Sequence, residues 1–340
     1  MEDRLLTYPE DAVVPLVQVV RGDVVEGTHR GAAVLVDADG AVRWSVGDVD
    51  RPVLPRSCNK PMQVIACLRA GLELPAPLLA LASASHSAEA FHVDGVRDIL
   101  EGAGLDLDAL QTPAVRPMDT DAADAAVREG RPARPEFMDC SGKHAAFLAT
   151  CVRNGWDTAT YLQPDHPLQA AVRETFEAYV GQTVVAESVD GCGAPLLGCS
   201  LTGLARAYAT LAGATPDNDP HAAALADAFR AHPQMTCGTT RDELALMRAL
   251  PGTIAKSGAD ACYAIALPDG SALALKIDDG GDRARTPAAV AALLASGALD
   301  APFGPAEIDA VRRLGHVPVL GGGRPIGILR PLLEPARGDA

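Results

Sequence analysis

The sequence has 340 residues, 48% of them hydrophobic, which is ample for one large packed core or two interlocked lobes. Its 44 acidic and 29 basic residues leave a formal charge of −15, which repels nucleic acid and anionic lipid, so neither is an expected partner. The start "MEDRLLTYPEDAVVPLVQVV" carries acids where a secretory signal carries a basic region, and no apolar run approaches the ~20 residues of a membrane span, so a soluble cytoplasmic protein is expected.

In chain order, "PLVQVVRGDVVEG" and "GAAVLVDADGAVRWSVGD" are β-branched runs, the second split by "DADG", a hairpin-turn signal. Helix-period segments follow: "HVDGVRDILEGAGL", "GKHAAFLATCVRNGW", "QAAVRETFEAYVGQ", "HAAALADAFRAH" and "TRDELALMRAL". The β pattern then returns in "YAIALPDGSALALKIDDG", two apolar strands joined by "PDGS". "TPAAVAALLASGAL" reads as one more helix, with Thr286 and Pro287 as cap and first-turn residues, and "HVPVLGGGRPIGILRP" as a further strand region.

Terminal strands pairing across a helical insertion predict an α+β unit whose sheet is mostly antiparallel, because its strands arrive as hairpins. The expected unit spans 1–340, with a sheet lobe of about 12–60 plus 250–335 and a helical lobe of about 61–249. A ligand cleft is expected where the lobes meet.

Chemistry concentrates in short segments of Ser, Lys, Cys and Asp among small residues: "RSCNKP" (56–61), "ASASHSAE" (82–89), "DCSGKH" (139–144), "DGCGAP" (190–195) and "AKSGAD" (255–260). If residue 57 begins a helix, Ser57 and Lys60 share a face, close enough for hydroxyl to meet amine. A serine needs a base, and a lysine of pKa roughly 10.4 becomes one only when its ammonium is disfavoured by about 4 kcal/mol through burial or a nearby cation. Pro61 suits a first helical turn, and free N–H groups there could hold an oxyanion. Lys256 sits at the mouth of a hairpin strand, and if it shares a cleft with Lys60, repulsion keeps one of the two neutral. Ser–Lys penicillin-recognising enzymes combine S-x-x-K with a later K-[ST]-G in this order. The plainer account of these residues is a helix-start serine and two surface lysines.

The eight cysteines (58, 67, 140, 151, 192, 199, 237, 262) form no compact framework and read as reduced thiols or metal ligands. Cys140 and Cys192, 52 residues apart, could hold Zn²⁺ with further N or O donors, or be two small buried hydrophobes. His144 and His86 have ordinary structural readings of their own.

"RSxxKP", "ASHSxE", "CSGKH", "DGCGxP", "K-x-GADAxYA" and "KIDDG" occur together and in this order, and the chain therefore resembles the L-asparaginase II family of the rhizobial (class 3), zinc-containing type, from about residue 15 to about 330. The resemblance implies a fold like that of serine β-lactamases and DD-peptidases, and an enzyme converting L-asparagine and water to L-aspartate and ammonia. It implies Ser57 as nucleophile with Lys60 as its base, Ser85 with Lys256 as the second pair, and one zinc per chain on Cys140, Lys143 and Cys192. It also implies a substrate pocket lined by Arg56, Asp190, Gly191, His144 and Ser141, with Asp190 gripping the α-ammonium and Arg56 the α-carboxylate, and a homodimer. The sequence departs from the family at Ala88, where glycine is frequent, and at Thr236 and Cys237 in "HPQMTCG" (232–238), which bears on the shape of that loop. Two rivals are a β-lactam or peptidoglycan enzyme, which would share S-x-x-K and K-S-G, and a catalytically silent amino-acid-binding protein on the same scaffold. "CSGKH" and "DGCGAP" have no role in the first, and both Ser–Lys pairs argue against the second.

Overall fold

In the computed structural model, which describes residues 10–334, turn chemistry and strand periodicity do what they predict at both ends. The acidic first nine residues and residue 335, the expected end of the sheet lobe, lie outside the described residues. β1 (Val14–Arg21) turns into β2 (Val24–Val36), which turns through "DADG" into β3 (Val42–Val46), followed by the short β4 (Pro52–Val53). The middle of the chain supplies α1 (Lys60–Arg69), α2 (Ala76–Ala82), α3 (Ala90–Gly102), α4 (Thr120–Arg128), α5 (Ser141–Asn154) and α6 (Pro167–Val180). β5 (Ala186–Val189) and β6 (Pro195–Ser200) come next, then α7 (Leu201–Ala212), α8 (Pro220–Ala231) and α9 (Asp242–Ala249). The chain returns to the sheet with β7 (Ile254–Gly258), β8 (Cys262–Ala266) and β9 (Ala272–Ile277). It finishes with α10 (Asp282–Ala295), α11 (Pro305–Gly315), β10 (Val317–Gly321) and β11 (Arg324–Pro331).

The main sheet is antiparallel throughout, in the order β10-β11-β1-β2-β9-β8-β7. β3 pairs with β2 on the edge that β1 leaves free, since the pairing of β1 with β2 stops at Gly31 and β3 takes up Ala33 to Val36. N- and C-terminal strands therefore interleave across the helical insertion, with the join made by β2 and β9. A small second sheet, β4-β6-β5, ties Pro52–Val53 to the two strands of the inserted part. β8, and β9 apart from Lys276, are buried at every position, so alternation is lost and both faces must be covered. α7 packs against β2, β8 and β9, and α10 against β1, β8, β9 and β11.

One sequence expectation needs correcting. α10 begins at Asp282, four residues before Thr286, so Pro287 lies inside the helix and not in its first turn. The Thr286 hydroxyl donates to Asp242 Oδ2 (2.6 Å), and Arg285 grips the same carboxylate at 2.8 and 3.0 Å. These tertiary bonds draw the polar residues ahead of Pro287 into helix. All eight cysteines are free and buried, and among the described residues no helix is long and apolar enough to cross a membrane.

Candidate active site

Ser57 and Lys60 belong to different pieces of local structure. Arg56–Asn59 is a 3₁₀ turn leading into α1, and Arg56 adopts φ +51, a conformation that costs a non-glycine residue roughly 1–2 kcal/mol. Pro61 occupies the first turn of α1, where its missing N–H is harmless. The end of β7 closes on this turn: a Cβ at Gly258 would stand 2.5 Å from the Pro55 carbonyl oxygen, which is why the K-S-G segment needs its glycine. The Cys58 thiol donates to the Lys256 carbonyl at 3.1 Å, fixing the turn to the strand that carries the second lysine.

The two amines converge on one hydroxyl. Lys60 Nζ lies 3.0 Å from Ser85 Oγ and Lys256 Nζ 2.8 Å from the same oxygen. Lys60 also donates to the Ala84 carbonyl (2.6 Å), with the Asp139 carboxylate 3.5 Å away, and Lys256 to the Ser257 carbonyl (2.7 Å). Both lysines are 1% exposed. Ser57 is buried beside them at 6% exposure, but its hydroxyl is not among the groups that Lys60 bonds; the contact between 57 and 60 is Lys60 N–H to the Ser57 carbonyl.

Burial and the neighbouring charge of Lys60 pull Lys256 down to about 8, against the pull of Glu243. Burial would lower Lys60 too, but Cys140 and Asp139 carry it upward instead. Asp139 reaches about 2: burial alone would raise it, and Lys60, His86 and Lys256 overcome that. Asp139, missed at the sequence level except as the acid preceding Cys140, is thus an anion facing both lysines.

The Ser85 loop is stitched on three sides. Ser85 N–H donates to the Thr236 carbonyl (3.1 Å), His86 N–H to the Asp139 carbonyl (3.1 Å), and the Ser87 hydroxyl to the Cys237 carbonyl (2.7 Å). The 232–238 loop, with Thr236 and Cys237, therefore clamps the second serine through main-chain carbonyls that do not depend on the side chains there. Ala88 adopts φ +59, a backbone conformation that favours glycine. His86 Nδ1 accepts from Ala88 N–H (3.1 Å), so Nε2 carries the proton and donates to Ser141 Oγ (2.8 Å), which donates to the Glu136 carbonyl (2.9 Å). Burial and His92 hold His86 well below its usual range. Ser141 is 0% exposed and its hydroxyl is fully used, so it braces the loop from behind.

The expected metal ligands also come together. Cys140 precedes α5, Lys143 stands on its first turn, and Cys192 arrives on the turn between β5 and β6. A Cβ at Gly142 would lie 2.5 Å from the Leu81 carbonyl oxygen, so the glycine lets α5 seat against α2. Lys143 Nζ contacts Cys192 Sγ at 3.2 Å, and Cys140 packs beside Cys192. The hydrogen bond from Cys140, aided by Lys143 and His144, drives Cys192 strongly toward thiolate despite burial, while Cys140 is pushed up. His144 bonds Tyr161 through Nδ1 (2.7 Å), its buried Nε2 has no hydrogen-bond partner, and burial with Lys143 lowers it to about 4. Two sulfurs and an amine in a dry site fit a borderline-soft dication such as zinc. Among the described residues no group of three or more His, Cys, Asp or Glu could hold a metal ion, so a metal here would need the Lys143 amine as its third donor.

Arg56 spans the substrate-binding candidates, donating to Asp190 Oδ1 (2.8 Å) and pairing closely with Asp260. Gly191 N–H donates to the same Asp190 oxygen at 2.9 Å, holding that carboxylate in place. Arg56, Asp260, Lys276 and Asp278 line a cavity of about 360 Å³. Asp260, in the positive-φ turn between β7 and β8, carried no signal beyond its place in "GAD".

The family model for L-asparaginase II matches residues 17–331. No curated protein matches the sequence. Among solved structures, the chain is similar to a β-lactamase from Mycobacterium bovis (13% identity, 84% of this chain, 92% of that one, TM-score 0.39). It is also similar to a Bacillus glutaminase (12%, 74% and 85%, TM-score 0.39) and to EstCE1, a hydrolase with promiscuous acyltransferase activity (11%, 74% and 91%, TM-score 0.40).

Proposed function

The chain belongs to the L-asparaginase II family, and from that premise we propose that this amidohydrolase converts L-asparagine and water to L-aspartate and ammonia through an acyl-enzyme. The observation that carries the mechanism is Ser85 Oγ held between two buried amines, 3.0 Å from Lys60 and 2.8 Å from Lys256. Coulomb repulsion at this range leaves one proton too many when both amines are charged, so the working pair is one ammonium and one amine. Ser85, which both accepts and donates, moves the proton between them.

Ser57 is the nucleophile. Once Ser85 has passed the Lys60 proton to Lys256, Ser57 Oγ attacks the side-chain amide carbon and its proton passes to the neutral Lys60. Main-chain N–H groups at the start of α1 face the developing oxyanion. Lys256, through Ser85, gives its proton to the departing nitrogen, releasing ammonia and leaving Lys60 charged and Lys256 neutral. In deacylation water attacks, its proton passes through Ser85 to Lys256, and Ser57 regains its own from Lys60. Asp190 grips the substrate α-ammonium and Arg56 its α-carboxylate, each exchanging part of the Arg56–Asp190 pair for a substrate charge. His144 and Ser141 stand behind this pocket.

Cys140, Lys143 and Cys192 would hold one zinc, with Lys143 as a neutral amine. When bound, zinc supplies positive charge that organises the pocket; nucleophile and bases come from the Ser–Lys groups. The proposal includes a cytoplasmic homodimer, which sedimentation of the purified protein would check.

Ammonia release from L-asparagine tests the assignment: Ser57→Ala abolishes it while the circular dichroism spectrum is unchanged, and a variant with near-full activity would refute Ser57. A second reading, with Ser85 attacking first, has one observation in its favour, since Ser85 and not Ser57 is the hydroxyl bonded to the lysines. Trapping the acyl-enzyme and locating it by peptide mass spectrometry separates the two.

A further inference from the structure

Behind Lys256 lies a carboxylate that the mechanism above does not use. Glu243, on the first turn of α9, is 1% exposed. It accepts a short hydrogen bond from the Ser257 hydroxyl and two from Arg241, Nε and Nη2, each at 3.3 Å. Ser257 is also the residue whose main-chain carbonyl accepts from Lys256 Nζ at 2.7 Å. One residue is therefore gripped twice, by Glu243 through its side chain and by the lysine through its backbone. Burying a carboxylate and its arginine is a poor way to gain stability alone, because desolvation offsets most of the attraction.

The charges around Lys256 point the same way. It is faced by Lys60 from α1, Cys58 from the turn before α1, Asp139 from the segment before α5, Cys237 from the 232–238 loop, Arg241 from the residue before α9 and Glu243 from α9. Glu243 is the acid on the α9 side of the amine, and Arg241 holds it ionised despite burial.

We propose that Glu243 is a positioning residue for Lys256: through Ser257 it aims the amine at Ser85, and its negative charge sets how readily that amine gives up a proton. This rests on the assignment of Ser85 and Lys256 to proton transfer.

Purified Glu243→Gln, assayed for ammonia release from L-asparagine across pH, is expected to lose about 10- to 100-fold in kcat with KM changed less than two-fold. Its acid limb of kcat/KM moves to lower pH than that of the wild type, because an anion facing the amine is gone. Glu243→Asp keeps the charge and shortens the reach, so its kcat is low while its limb stays in place; Ser257→Ala does the same. A Glu243→Gln variant with wild-type kcat, or with reduced kcat and an unmoved limb, overturns the proposal. Should Glu243→Gln fail to fold by circular dichroism, wild-type kcat in both other variants overturns it. Lys256→Met separates the two levels: if it is inactive beside a wild-type-like Glu243→Gln, Glu243 alone loses its role, whereas an active Lys256→Met removes the Ser85–Lys256 assignment and this inference with it.

Discussion

Lys256 Nζ stands 2.8 Å from Ser85 Oγ although 171 residues separate them in the chain. One comes from an edge strand of the main sheet and the other from the loop after α2, so the contact exists only once the C-terminal strands have joined the N-terminal ones. Lys60, from the start of α1, completes the bridge from a third direction.

Removing the shared hydroxyl should therefore disable proton transfer without dismantling the fold. Ser85→Ala is expected to lower kcat for L-asparagine by about 10²- to 10⁴-fold, the range for a positioned acid–base group, with little change in KM. Steady-state ammonia release measures both constants, and a kcat within three-fold of wild type would remove Ser85 from the relay.

The Cys140–Lys143–Cys192 group predicts one zinc per chain in protein purified near neutral pH, by elemental analysis. Cys140→Ser should reduce that content to background, because one sulfur and one amine make a much poorer zinc site than two sulfurs and an amine. Metal binding displaces protons from thiol and ammonium, so zinc should also leave on acidification. Unchanged zinc in the variant would count against this ligand set.

Much of this was legible in the sequence, and the failures have identifiable causes. "DADG" and "PDGS" mark hairpins because their residues suit the turn backbone, and the terminal strands followed from them. α7 is hard to read: nine of its twelve residues are buried, and its polar face is reduced to Arg206 and Thr210, too narrow to mark the period. The start of α10 was misplaced because Arg285 and Thr286 owe their helical state to Asp242, more than forty residues away. At the site, residue types were readable but pairings were not. An i, i+3 spacing suggests that Lys60 meets Ser57, yet the 3₁₀ turn after Arg56 and the approach of the 82–89 loop give the amine to Ser85. Asp139 and Glu243 adjoin no recognisable spacing, since an acid buried by tertiary packing looks like any other acid in one dimension.

Gly258 tests whether the close approach of β7 to the nucleophile turn matters. An alanine methyl would meet the Pro55 carbonyl oxygen at 2.5 Å, and also Arg56 Cβ at 3.2 Å, both close to main chain that cannot easily retreat. Gly258→Ala should cost about 1–3 kcal/mol in urea unfolding, the usual range for overpacking. It should also lower kcat, because the displaced segments carry Lys256 and Ser57. Wild-type kcat together with wild-type stability would show that the turn adjusts freely.

The pH dependence follows from Lys256, whose folded-state pKa lies at about 8 against an ordinary 10.5. Below about 8 both amines are protonated, no vacancy remains for Ser85 to transfer a proton into, and kcat/KM should fall with an acid limb near that pH. The same shift has a stability consequence of definite sign. Between about 8 and 10.5 the folded chain binds fewer protons here than the unfolded chain, so this group's contribution to stability rises with pH across that window. Below the window the buried ammonium is destabilising by about 3 kcal/mol. Lys256→Met removes that penalty and forfeits two hydrogen bonds of about 1 kcal/mol each. The variant should be inactive yet melt slightly above wild type at pH 7, and its advantage should shrink as pH is raised toward 10. Differential scanning calorimetry at both pH values decides it: a Tm advantage that does not depend on pH would mean that Lys256 carries no buried charge at neutrality, and that some other group sets the acid limb.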